Sequence, residues 1–122
     1  MPKTILIVDD STSLRTAVRI ALADAGYDVV EAEDGAKALT KLDGRKYHLV
    51  ISDVNMPNLD GFAFVQAMKQ KPAYKYTPVV MLTTEAGEEK KEKGRLAGAK
   101  AWVVKPFVPP QLLNVVSKLV MP

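Results

Sequence analysis

Five side chains in this 122-residue chain stand where packing alone gives them no reason to be. "ILIVDD" (5–10) ends an apolar run on two adjacent carboxylates, and "ISDVNMPNLDG" (51–61) carries Asp53 just past another. "MLTTE" (81–85) carries Thr83 just past its apolar residues, and "VVKPF" (103–107) carries Lys105. Burial explains the apolar residues but not the acids, because adjacent like charges repel and resist losing water. Two unit charges about 4 Å apart cost roughly 4 kcal/mol at an effective dielectric of 20, so three clustered carboxylates call for a proton or a cation.

The composition narrows that cation. The chain has no cysteine, which excludes disulfides, thiolate metal sites and a thiolate nucleophile. Its one histidine, His48, begins the third apolar run and so belongs at the far end of a sheet from the acids. Oxygen ligands alone favour Mg²⁺, with Mn²⁺ as the alternative, over zinc. A calcium loop starting at Asp53 would need Gly at its sixth position and Glu at its twelfth, where Asn58 and Phe64 stand. Mg²⁺ held by few carboxylates keeps positions for water and phosphate oxygens, so the cluster points to phosphoryl chemistry. Asp53 is then a nucleophile able to form an acyl phosphate, with the Thr83 hydroxyl and the Lys105 ammonium around the transferred oxygens.

These residues need elements that bring them together. Short β-branched runs at 4–8, 28–32, 48–52, 78–82 and 101–104 alternate with helical stretches, the pattern of βα units on a parallel sheet and so of the α/β class. Leu14, Ala17, Val18, Ala21, Leu22 and Ala25 follow helical spacing, with Ser11 or Ser13 as N-cap and Gly26 as the stop. Further helices are expected over about 35–44, with Ala38, Leu39 and Leu42 inward, and over 61–69, 88–97 and 110–120. "KPAYKYTP" (71–78) reads as a loop. In a five-stranded doubly wound sheet the first and third strands lie side by side at the switch point, and ligands bind beyond their carboxyl ends. Asp9, Asp10 and Asp53 therefore share one crevice.

Several residues have plainer readings. Asp9 and Asp10 alone would suit the start of a helix, and Asp53 alone a turn. Trp102 is by default a half-buried aromatic, and Met56, Met68 and Met81 fill gaps in a core. Gly94 within the fourth helix costs roughly 1 kcal/mol relative to alanine, which predicts a soft element. Pro109 and Pro110 leave the fifth helix without a side-chain cap.

A chain of this length fits one domain over residues 1–122, and 48% hydrophobic with 25% charged residues is ordinary for a globular fold. The apolar run in "MPKTILIVDD" is too short for a signal sequence, and nothing approaches the roughly 20 apolar residues of a membrane span. A cytoplasmic location without membrane contact is expected. The net charge of +3 comes from lysines scattered singly or mixed with acids, as in "EEKKEKGR", without interleaved aromatics, so no nucleic-acid partner is expected.

Taken in order and at their spacing, "LIVDD", "SDVNMPNLDG", "MLTTE" and "GAKAWVVKPF" resemble the response regulator receiver domains, in particular the stand-alone chemotaxis type. The resemblance implies a flavodoxin/CheY-like (βα)5 sandwich with strand order 2-1-3-4-5. It makes Asp53 the phosphoacceptor, charged by a histidine kinase or a small phosphodonor. Asp9, Asp10, Asp53 and the backbone carbonyl of Asn55 would hold Mg²⁺, Asp9 partly through water. Thr83 would turn toward the phosphoryl group and Lys105 would pair with it. Trp102 takes the place of the family's switch aromatic, usually Tyr or Phe, and Pro106 would follow a cis peptide after Lys105. The resemblance further implies a monomeric switch that loses its phosphoryl group slowly by self-hydrolysis and is not a turnover enzyme. Its face around helix 4, strand 5 and helix 5 would bind an output protein such as the flagellar motor switch. With no output domain after the fifth helix, the signal is expected to pass by protein contact. Two rivals have weaker support: a metal-dependent phosphohydrolase would need a capping segment, and a flavin carrier a phosphate loop after the first strand.

Overall fold

A computed structural model of the chain describes residues 2–122. The elements run β1 (Thr4–Val8), α1 (Thr12–Asp24), β2 (Asp28–Ala32), α2 (Gly35–Lys41), β3 (Leu49–Ser52), α3 (Gly61–Lys69), β4 (Val79–Thr83), α4 (Glu88–Ala97), β5 (Ala101–Val104) and α5 (Pro109–Leu119). All strand pairs are parallel, and the sheet order is β2-β1-β3-β4-β5. The strands β3 and β4 are buried along their whole length, which is why their sequences are continuously apolar rather than alternating.

Two cores flank the sheet. On one face Leu6, Val8, Val50, Val79 and Met81 pack against Ala38 of α2, Phe64 and Met68 of α3 and Ala97 of α4. On the other, Ile5, Ile7, Ile51 and Leu82 pack against Val18 and Leu22 of α1 and Leu112 and Val116 of α5. Met68 and Met81 are fully buried, and Met56 is half-buried against the first core.

Local chemistry sets the helix ends. The Ser11 hydroxyl, not that of Ser13, accepts the Leu14 N–H at the start of α1, while Asp34 and Asp60 cap α2 and α3 through the Lys37 and Ala63 N–H groups. Gly26, at φ 94°, turns the chain out of α1. The fifth helix begins at Pro109, one residue earlier than its pattern suggested, and has no side-chain cap. Two prolines there remove two N–H groups that would otherwise lack partners, so the missing cap costs little.

Residues 71–78 differ from the loop expected. Pro72–Tyr74 forms a 3-10 turn that buries Tyr74, whose hydroxyl accepts the Gly44 N–H (2.9 Å) and donates to the Arg45 carbonyl (2.7 Å). The second helix ends at Lys41, and Leu42 enters the core from its C-cap position.

Candidate functional site

The strands β1 and β3 are neighbours, with Val8 opposite Ser52, and the Asp53 N–H donates to the Val8 carbonyl (2.9 Å). That register carries Asp9, Asp10 and Asp53 out of the sheet at one edge, where one oxygen from each carboxylate lies within 4.8 Å of the others. Thr83 ends β4, and the Lys105 N–H just beyond β5 donates to the Thr83 carbonyl (2.8 Å), so the remaining strand ends complete the rim. The Lys105–Pro106 peptide is cis.

Lys105 supplies the positive charge inside this crevice. Its Nζ lies 2.8 Å from Asp9 Oδ2 and 3.2 Å from Asp53 Oδ2. Asp9 and Asp53 are buried, whereas Asp10 faces solvent. Burial pushes the Asp9 carboxyl above its ordinary range; Lys105 and the Ser11 N–H on Oδ1 (2.9 Å) oppose that rise, and the charge of Asp53 adds to it. Burial also pulls on Lys105, yet its bond to Asp9 and the charge of both acids hold its pKa above the usual lysine range. Asp53 Oδ1 accepts the Val54 N–H (2.7 Å).

The donor set suits a hard cation: three carboxylates, no nitrogen or sulfur, and one member open to water. Asp9, Asp10 and Asp53 are the side chains that could hold it. Asn55, whose carbonyl is the fourth expected ligand, lies two residues past Asp53, and its side-chain amide donates to Glu85 Oε1 (2.9 Å) across the mouth of the crevice.

Thr83 is fully buried, and its Oγ1 accepts the Glu85 N–H (3.3 Å). The carbonyl of the same Glu85 accepts the indole N–H of Trp102 (2.7 Å). The indole is half-buried and stacked on Phe62, with ring centroids 6.3 Å apart and 23° between planes. Glu85 therefore touches Thr83, Asn55 and Trp102, a junction that "LTTE" contains but does not announce.

Gly94 has a different role from the softening expected of it. A Cβ there would lie 2.6 Å from Trp102 Cζ3 and 3.0 Å from Cε3, so the missing side chain is the space the indole occupies. Gly61 is constrained more severely: its Cβ would fall 2.0 Å from the Asp53 carbonyl oxygen, so only glycine lets α3 start against the end of β3.

A clamp beside the site was also not read from the sequence. Asn58, at φ 70°, donates to Asp34 Oδ2 (2.9 Å), while Asp34 Oδ1 accepts the Lys37 N–H (2.8 Å). That N–H, helped by the Asn58 amide, holds the Asp34 carboxyl below the usual carboxylate range. The β3–α3 loop is thereby tied to the start of α2. His48 lies at the opposite end of the sheet, where its Nδ1 accepts the Thr4 N–H (3.0 Å).

The family model described as the response regulator receiver domain matches residues 5–117. Protein PilG of Pseudomonas aeruginosa is 35% identical over 113 residues, covering 93% of this chain and 84% of that protein. Chemotaxis protein CheY1 of Helicobacter pylori is 37% identical over 107 residues, covering 86% of each. Among solved structures, chemotaxis protein CheY4 of Vibrio cholerae superposes with a TM-score of 0.94 at 46% identity, covering 98% of this chain and 100% of that one.

Proposed function

This chain belongs to the response regulator receiver domain family, and we propose that it is a phosphorylation-driven switch of a two-component system of the chemotaxis kind. The observation that carries the proposal is the Asp9–Lys105–Asp53 arrangement, in which the acid at the end of β3 already faces the cation that its phosphoryl group would need. A carboxylate oxygen of Asp53 attacks phosphorus, and the bond to the donor's imidazole nitrogen or acetate oxygen breaks, that electron pair leaving with the donor. Lys105 moves from the two carboxylates to a phosphoryl oxygen, and the Thr83 hydroxyl donates to another. Mg²⁺ among Asp9, Asp10, Asp53 and the Asn55 carbonyl, when bound, offsets the charge that these acids and the phosphoryl oxygens share.

Movement of Thr83 is felt at Trp102 because both bond to Glu85. The face around Trp102 is suited to contact. Leu96, Val104 and Val108 are exposed there, and a groove of about 180 Å³ is lined by Lys91, Arg95, Lys100 and the indole. A histidine kinase supplies the phosphoryl group, and an output protein such as the flagellar motor switch reads the face. The chain acts as a monomer in the cytoplasm and loses the group by its own slow hydrolysis, without turning over a separate substrate. No helix among the described residues is long and apolar enough to cross a membrane.

Incubation with acetyl phosphate and Mg²⁺, followed by intact mass, tests this proposal. One labile phosphoryl adduct is expected in the wild type, and none in Asp53→Asn or after chelation of the metal. An adduct of equal yield in Asp53→Asn would refute it.

A further inference from the structure

The peptide joining Asp9 to Asp10 is held from behind by a residue that touches neither carboxylate. Arg15, in the second turn of α1, reaches back over the start of its helix. Its Nη1 donates to the Asp9 carbonyl (2.5 Å), its Nε to Glu31 Oε1 (3.2 Å) and its Nη2 to Thr12 Oγ1 (3.3 Å). Glu31, on the edge strand β2, takes Arg19 Nε on its other oxygen (3.2 Å). The Arg15 side chain is only 14% exposed. A guanidinium is a planar fork, so the carboxylate that grips Nε also fixes where Nη1 points.

Local structure does not require this arrangement. The Ser11 hydroxyl already caps α1, and the Asp9 N–H already pairs with the Ala32 carbonyl (3.1 Å), so neither the helix start nor the β1–β2 edge needs the guanidinium. What lacks another restraint is the 9–10 carbonyl. The Ser11 N–H ties the 10–11 peptide to the Asp9 carboxylate, and Lys105 holds the same carboxylate from the other side; among the described residues nothing donates to the Asp10 carboxylate, and nothing but Arg15 bonds the peptide that leads into Asp10. The carbonyl of that peptide is the one Arg15 grips.

We propose that Arg15, aimed by Glu31, is a positioning residue for the acidic pair: it sets the peptide plane that turns Asp10 toward Asp53, and so sets the affinity of the crevice for a divalent cation. The inference rests on the metal-binding reading of this site. It also makes a prediction opposite in sign to simple electrostatics. Removing a positive charge close to three carboxylates should by charge alone tighten cation binding, whereas removing a positioning group should weaken it.

The test is a Mg²⁺ titration of the full chain followed by backbone amide NMR shifts, on wild type, Arg15→Met and Arg15→Lys. The expected result is about tenfold weaker Mg²⁺ binding in Arg15→Met, the low end of effects seen when groups behind a ligand are removed. Arg15→Lys keeps the charge but not the fork, and is expected to weaken binding nearly as much. At saturating Mg²⁺, labelling of Asp53 by acetyl phosphate should return close to the wild-type rate in both variants, which general damage to the site would not allow. Equal or tighter binding in Arg15→Met, or in Arg15→Lys should the first variant not fold, would overturn the positioning role while leaving the receiver reading intact. A wild-type chain with no saturable Mg²⁺ response would overturn both.

Discussion

Trp102 and Gly94 show how a residue's meaning depends on what faces it. Taken alone, a glycine in the middle of α4 weakens the helix, and Gly94→Ala should stabilise the protein by about 1 kcal/mol. Because the new Cβ would sit 2.6 Å from the indole, we expect the opposite sign: a loss of about 1–3 kcal/mol from overpacking, with the Trp102 emission shifted to the red as the ring is displaced toward water. Chemical denaturation checks the first and fluorescence the second. In a Trp102→Ala background the same substitution should become stabilising, and a cost that persisted there would exclude the indole as its cause. Asp9, Asp10, Asp53, Thr83 and Lys105 were legible because each interrupts or ends an apolar run. The pairs Gly94–Trp102, Arg15–Glu31 and Asp34–Asn58 were not, since each forms between elements whose relative placement no single run of residues encodes.

Among the elements, α4 and α1 offer a comparison. The α4 helix has Gly87 at its N-cap position and no side-chain cap, and its buried residues are Gly94 and Ala97; α1 has the Ser11 cap and buries Val18 and Leu22. Little apolar area anchors α4, so its amides should exchange with solvent faster than those of α1. Hydrogen exchange at residue resolution checks this, and equal protection of the two helices would contradict it. The softness expected of α4 thus rests on the small side chains it buries rather than on the helix propensity of Gly94. The 3-10 turn at Pro72–Tyr74 escaped the sequence reading because its order comes from Tyr74 bonding to Gly44 and Arg45, some thirty residues away in the chain. The βα alternation was legible because a parallel strand buried on both faces must be continuously apolar, as β3 and β4 are.

For the molecule as a whole, His48 and Asp34, at opposite ends of the sheet, respond to acid in the same direction. His48 has its pKa held below the ordinary histidine value, first by burial and then by the charges of Lys46 and Lys3. Its Nδ1 accepts the Thr4 N–H only while that nitrogen is unprotonated. The unfolded chain therefore binds the proton first, and stability present above the unfolded histidine value of about 6.5 declines as the pH falls below it. Asp34 is depressed as well, so its contribution is present above the unfolded carboxylate value and is lost as the pH falls through its lower folded one. Thermal unfolding should show a loss beginning near pH 6.5 that is absent in His48→Asn, and in the carboxylate range a loss that Asp34→Asn removes.

The most direct check of the central claim is to trap the phosphoryl group where it forms. An acyl phosphate is an activated carboxyl that borohydride reduces to an alcohol, while phosphoserine and phosphothreonine survive unchanged. After treatment with acetyl phosphate and Mg²⁺, reduction and peptide mapping should place the new alcohol at Asp53 alone. A reduced residue at Asp9 or Asp10 instead, or a phosphate retained on Thr83 or Thr84 with Asp53 untouched, would contradict the account.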